Sequence, residues 1–206
     1  MERQTFDYHK ALQAMFYLQA KASVSDKLSL LKLLFFADRY HVRHYGISML
    51  MDNYCAMTLG SVCSKTYDII KKGLYYDGLG EADKLFIDNN LSCVNDSVFI
   101  KDIGSDELSV SDIEALDFSI KNFAQFMPYD LSQITYAYSE WSRYKCVLEN
   151  HISASENMNY KDFFDDPEDG NEYIEKYLNG KEPFEDDKEL LVAMKQEYGE
   201  SLLTFL

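Results

Sequence analysis

No stretch of this sequence approaches the roughly 18 consecutive apolar residues that a bilayer-spanning helix needs, so no membrane partner is expected. Its opening, "MERQTFDYHKAL", lacks the apolar core of a secretion signal, and the expectation is a cytoplasmic protein. Three prolines and nine glycines leave little material for long linkers or fibrous repeats. Cys55, Cys63, Cys93 and Cys146 are scattered without a C-x-x-C pair, so neither a disulfide framework nor a zinc knuckle is indicated. Positive charge is also short: 20 Lys and Arg stand against 35 Asp and Glu, a net charge of −15. That balance argues against direct binding to nucleic acid or to an anionic lipid surface. There is no G-x-S-x-G, no Gly-rich phosphate loop and no paired Cys/His setting, so neither a catalytic residue nor a cofactor is expected.

What is present points to a mainly α (α+β) globular chain. The 206 residues are 47% apolar, with 16 Tyr and 13 Phe, ample for one sizeable core. Helical spacing runs from Phe6 to Ala22, and again from about Lys27 to Tyr45, with Ser25 or Asp26 as N-cap and Gly46 closing the second helix. In "NYCAMTLGSVCSKTYDIIKKG" the apolar face returns, Gly60-Ser61 splits the segment, and Ser61 or Ser64 starts a helix that Gly73 closes. The runs "KLFID", "LSCV" and "SVFIKD" read as a small antiparallel meander or hairpin. Ser111 and Glu114 form a capping box for a helix whose stripe is Ile113, Leu116, Ile120, Phe123 and Met127, with Pro128 as its stop. Asp130 and Gln133 make a second box before one more helix, "LSQITYAYSEWSRYKCVL".

The second helix poses the sharpest question. At about 100° per residue, Asp38 falls in the apolar sector of Leu31, Leu34, Phe35 and Tyr45, while Lys32, Arg39 and Arg43 fall opposite. A carboxylate facing a core is costly unless hydrogen-bonded. Asp38, His41 and His44 recur every three residues, but on a helix they diverge by a third of a turn, and metal-binding helices more often use i and i+4. A structural network on Asp38, fed by His41, Tyr45 or a neighbouring segment, is the expectation, with no metal.

From Glu156 to Leu206 there are fifteen acidic and five basic residues, a net of −10. Regular aromatic and aliphatic residues keep this segment too apolar for a disordered tail, so it reads as two or three acidic amphipathic helices. "DDPEDGNEYIEK" echoes a calcium loop, but Pro167 stands at a ligand position and Lys176 replaces the closing glutamate. The division expected is a domain over 1–154 and an acidic helical extension over 155–206. Tyr160, Phe163, Phe164, Tyr173 and Tyr177 of that extension are candidate partner contacts, as is Trp141, which reads either as a core aromatic or as an interface anchor.

Lys32-Leu33-Leu34-Phe35, Ala37-Asp38, His41, Tyr45-Gly46, Asp52, Ala56 and Gly60-x-Val62 resemble the signature of the Panacea domain family, the SocA-like or GepA-like proteins. Leu108-Ser109, Leu131 and Thr135 continue the likeness, while Ser61 stands in place of a proline and Tyr136 in place of a histidine. The resemblance implies an antitoxin of a bacterial or phage toxin–antitoxin system, not an enzyme, that neutralises its cognate toxin by direct binding. It also implies an alternative, an adaptor that delivers the partner to an AAA+ protease. A net charge of this sign suits a basic toxin. Two further readings stand beside these: a hydrolase using Asp38 and His41, and an acidic mimic of nucleic acid directed at a DNA-binding protein.

Overall fold

A computed structural model describes residues 5–203 of the chain, with side chains through 198; residues 1–4 and 204–206 lie outside the described residues. The first two helices form where their caps place them. Helix α1 (Tyr8–Ala22) starts on the Asp7 carboxylate, which accepts the His9 N–H at 2.8 Å. Helix α2 (Lys27–Tyr45) starts on Asp26, which accepts from Ser29 N at 2.8 Å, and ends at Gly46 in the left-handed region at φ 70°.

The next segment departs from its helical reading. Residues Tyr54–Met57 (β1) and Gly60–Cys63 (β2) are antiparallel strands paired Tyr54 to Cys63 and Met57 to Gly60. The physical reason is that Tyr54 and Ala56 point inward while their neighbours do not, a period of two that the apolar content had masked. Helix α3 (Ser64–Lys71) follows from Ser64, one of the two expected starts, and its left-handed cap is Lys72, ahead of Gly73.

After α4 (Leu74–Asp77), "KLFID" lies in α5 (Glu81–Asn90) and not in a strand. Glu81 and Asp83 sit in the first turn of α5, where carboxylates favour a helix. The other two runs do form a hairpin, β3 (Leu91–Val94) with β4 (Ser97–Ile100).

Helix α6 (Val110–Phe123) has its capping box two residues earlier than expected, on Ser109 and Asp112. Glu114 instead accepts the hydroxyls of Tyr40 and Tyr45 at 2.7 and 2.8 Å. Met127 lies beyond the helix and is exposed. Pro128 opens α7 (Pro128–Thr135), where a missing N–H costs nothing. The single helix expected from Leu131 is three, α7, α8 (Ser139–Ser142) and α9 (Lys145–Glu149). The breaks leave Tyr138, Glu140 and Trp141 all buried.

Beyond residue 154, β5 (Ser155–Asn157) pairs antiparallel with β1 and completes a sheet of order β2-β1-β5. A 3-10 turn (Tyr160–Phe164), α10 (Glu172–Leu178) and α11 (Lys188–Leu203) follow. The result is mainly helical, with antiparallel sheets of two and three strands.

Helix α2 is the axis. Every residue from Ser29 to Arg43 is buried, so no side of it faces solvent. Helix α6 covers one side, β2 and α7 another, and the 3-10 turn of the extension a third. Phe163, Phe164, Ile174, Phe184 and Leu191 all belong to the one main core. Burying such a side chain contributes about 1.5–3 kcal/mol, so five together rival a typical net stability of about 5–15 kcal/mol. A chain ending at Ala154 is therefore expected to lose the cooperative unfolding transition, as followed by circular dichroism during a urea titration. A clean two-state transition in that fragment would show that the helices before residue 155 fold alone.

Candidate functional site

The polar residues of α2 fall into three clusters along its length, each closed by a different part of the chain. At the N-terminal end, Lys32 is fully buried and its Nζ donates to Ser61 O at 2.7 Å. The Ser61 N–H donates to Thr135 Oγ1 at 3.3 Å. Strand β2 is an edge strand, and these two contacts satisfy the main-chain groups of Ser61 that no neighbouring strand can reach. Gly60 permits this approach: at φ 87°, a Cβ there would lie 2.2 Å from Thr135 Oγ1 and 3.1 Å from Lys32 Nζ. Burial without a carboxylate partner lowers the Lys32 ammonium to about 7.

In the middle, Asp38 is fully buried. It accepts from Ser48 Oγ at 2.7 Å and from the main-chain N–H of Met49. Tyr160, from the extension, donates to Asp52 O at 2.7 Å and lies 3.0 Å from Ser48 Oγ. Asp52 in turn receives Lys65 N, Thr66 N and Thr66 Oγ1 at 2.8, 2.9 and 2.7 Å, closing the N-terminus of α3. Desolvation pushes both carboxyls up, against these hydrogen bonds. Asp38 is thus held by the Ser48–Met49 loop, not by His41 or Tyr45. The His41 ring contacts Ile47 O at 2.7 Å and Ser111 Oγ at 3.1 Å, so Asp38 and His41 form no acid–base pair.

The third cluster is the largest. Arg39 and Arg43, which the helical wheel sets opposite the apolar sector, are buried beneath the extension. Arg39 Nη1 donates to Glu140 Oε1 at 2.6 Å and to Phe163 O at 3.0 Å, and Nη2 donates to Asp165 O at 2.8 Å. Its guanidinium lies 4.2 Å from the Tyr138 ring centre and 5.1 Å from that of Phe184. Arg43 donates to Phe163 O at 3.0 Å, to Asp166 Oδ1 at 2.6 Å and to Asp186 Oδ2 at 2.5 Å. Carboxylates are in excess here. Glu182 is raised to about 7, chiefly by burial and partly offset by both arginines, and burial likewise raises Glu140. Buried Arg39 Nε, Glu140 Oε2, Asp162 Oδ2, Glu182 Oε2 and Asp186 Oδ1 have no hydrogen bond among the described residues.

The candidate partner contacts divide. Trp141 is buried, donates to Met57 O at 2.8 Å and stacks on Tyr136 at 3.9 Å. Phe163 and Phe164 are core residues, and Tyr160 is committed to the Asp38–Asp52 network. Tyr173 packs edge-on to Tyr136, and Tyr177 edge-on to Phe126, both half-buried. Of the motif residues, Lys32, Gly60 and Val62 meet around β2, Ala56 is buried on β1, and Tyr45 and Gly46 end α2. Sequence reasoning missed Arg39, Arg43, Glu140 and Glu182. Their signal was present as two arginines one helical turn apart and a segment of opposite charge downstream.

Beside the arginine cluster, α2, α6 and the 177–185 segment leave a groove of about 540 Å3. Tyr40, Phe118, Phe126 and Tyr177 wall it, with Lys121 and Lys181 at its margin. Among the described residues, no group of three or more His, Cys, Asp or Glu is placed to hold a metal ion, and no helix is long and apolar enough to cross a membrane.

A helical domain wound round one fully enclosed, polar-bearing helix is the class of protein that this geometry defines. The sequence model of the family described as "Antitoxin SocA-like, Panacea domain" matches residues 30–142, more than half of the chain, and includes nearly all of α2. The chain belongs to that family. Comparison with curated proteins finds no match, and comparison with solved structures finds none.

Two predictions follow from the clusters. Asp38→Ala removes two buried hydrogen bonds and is expected to destabilise the fold by ~1–3 kcal/mol in urea denaturation; unchanged melting would place Asp38 outside the structural network. Glu182 binds its proton more tightly in the folded chain, so the stability it contributes is complete below the ordinary carboxyl value of 4.5 and is lost as pH rises through about 7. Amide exchange in the 179–187 segment, corrected for intrinsic rates, is expected to quicken between pH 5 and pH 8, and Glu182→Gln to abolish that dependence.

Proposed function

We propose that this protein is an antitoxin that neutralises a cognate toxin by direct protein–protein binding. The observation that carries the reading is family membership across residues 30–142, the span that holds the enclosed helix and most of its packing partners. Physical features fit it. Lys32, Asp38, Arg39 and Arg43 of α2 all find partners inside the fold, so the chemistry left to the surface is recognition. Glu168, Asp169, Glu172, Glu175, Asp187 and Glu189 are exposed on the extension, outside its core contacts. They give that face a negative field suited to steering a basic toxin.

Hydrolysis through Asp38 and His41 gains no support, because the two side chains serve different loops. Delivery to an AAA+ protease would act downstream of the same binding event and is read from the lifetime of the toxin.

The test is co-expression with the product of the adjacent gene. Restored growth and a complex that survives affinity purification are expected. The triple variant Glu168→Lys, Glu172→Lys, Glu175→Lys is expected to slow association several-fold at low salt and much less at high salt. Unrelieved toxicity, or rescue with no complex, would overturn direct neutralisation.

A further inference from the structure

The groove between α2, α6 and the 177–185 segment departs from the character of the rest of the surface. On a chain of net charge −15, its margin carries Lys121, Lys181 and His44, and Glu185 is the sole carboxylate in its lining. Glu185 is already taken by Lys181 at 2.8 Å, whereas Lys121 makes no ion pair among the described residues. The walls are aromatic and rigid. Tyr40 stacks on Phe118 at 4.3 Å, and its hydroxyl is anchored on Glu114 at 2.7 Å. At about 540 Å3 the groove has the size of a ligand site, not of a packing gap.

One wall, Tyr177 to Glu185, comes from beyond the matched span 30–142, while Tyr40, Phe118 and Lys121 lie within it. The groove therefore exists because the extension folds back, fastened here by Phe184 over the Arg39 guanidinium and by the Arg43 bond to Asp186.

We propose that this groove is the anchoring site for the partner, and that it takes a segment bearing an aromatic or aliphatic side chain flanked by carboxylates. The apolar side chain enters between the Tyr40–Phe118 stack and the Phe126–Tyr177 pair, and the carboxylates reach Lys121 and, in exchange for Glu185, Lys181. The inference rests on the antitoxin reading, since it takes the toxin as the partner. It adds a sign opposite to the one that net charge suggests. The exposed carboxylates of the extension draw in a basic body, whereas the groove accepts only an acidic, apolar segment of it. The same carboxylates repel that segment elsewhere, which sets the register of docking.

The experiment measures toxin affinity for the full-length protein and for the Lys121→Glu and Lys181→Glu double variant, with melting recorded for both. Both lysines are exposed, and Lys121→Glu alone serves as the second variant should the double one melt early. At least about tenfold weaker binding at unchanged melting is expected, with affinity retained by Lys121→Arg and Lys181→Arg. Changing an acidic residue of the toxin to lysine is expected to restore binding to the glutamate variant. Binding within twofold of the original for the glutamate variants would overturn the groove as anchor and leave the antitoxin reading standing. Absence of any complex with the unaltered protein would overturn that reading, and the groove with it.

Discussion

Two guanidinium groups closed off from water set the terms for this fold. A buried arginine cannot shed its proton, so each must be met by acceptors or the helix carrying it cannot be enclosed. Arg39 and Arg43 find theirs on Glu140, on the carbonyls of Phe163 and Asp165, and on Asp166 and Asp186. All but Glu140 come from the region after residue 154. The acidity of that region is therefore partly internal. It balances charges more than a hundred residues earlier, and the aromatic ring of Phe184 is drawn down with it over the Arg39 guanidinium.

The other two clusters on α2 follow the same logic with different chemistry. Lys32 and Thr135 close the open edge of a small sheet, where a fourth strand would otherwise pair. Asp38 closes the loop that follows its own helix, and through Ser48 and Tyr160 connects it to Asp52 and the start of α3. Each cluster fastens a different layer to one helix. Together they explain why the helical stretch Ser29–Arg43 can carry two arginines, a lysine and an aspartate with no face in water.

That economy bears on function. With the interior ionisable groups of α2 committed to architecture, recognition falls to what remains outside: an acidic outer face on the extension and a groove of aromatic rings and lysines beside it. On the proposed reading, these two surfaces divide encounter from docking. The groove is a composite of the family-matched span and the segment beyond it, so packing of the extension and shape of the binding surface are one physical problem.

Local rules carried much of the fold in the sequence itself. Asp26 and Gly46 bound α2, apolar periodicity marked α1 and α6, and the runs "LSCV" and "SVFIKD" marked β3 and β4, because each depends on neighbours within a few residues. The motif from Lys32 to Val62 was legible for the same reason, and the need for Asp38 to be satisfied followed from its place in an apolar sector. What only tertiary structure decided was which groups satisfied what. The wheel placed Arg39 and Arg43 opposite the apolar sector and went no further, since periodicity measures average hydrophobicity and cannot register a distant segment that supplies their acceptors. The break-up of α7, α8 and α9, the strands at Tyr54 and Gly60, and the groove at Lys121 have the same origin: long-range packing outweighs local preference once burial exceeds the few tenths of a kcal/mol per residue that propensity supplies.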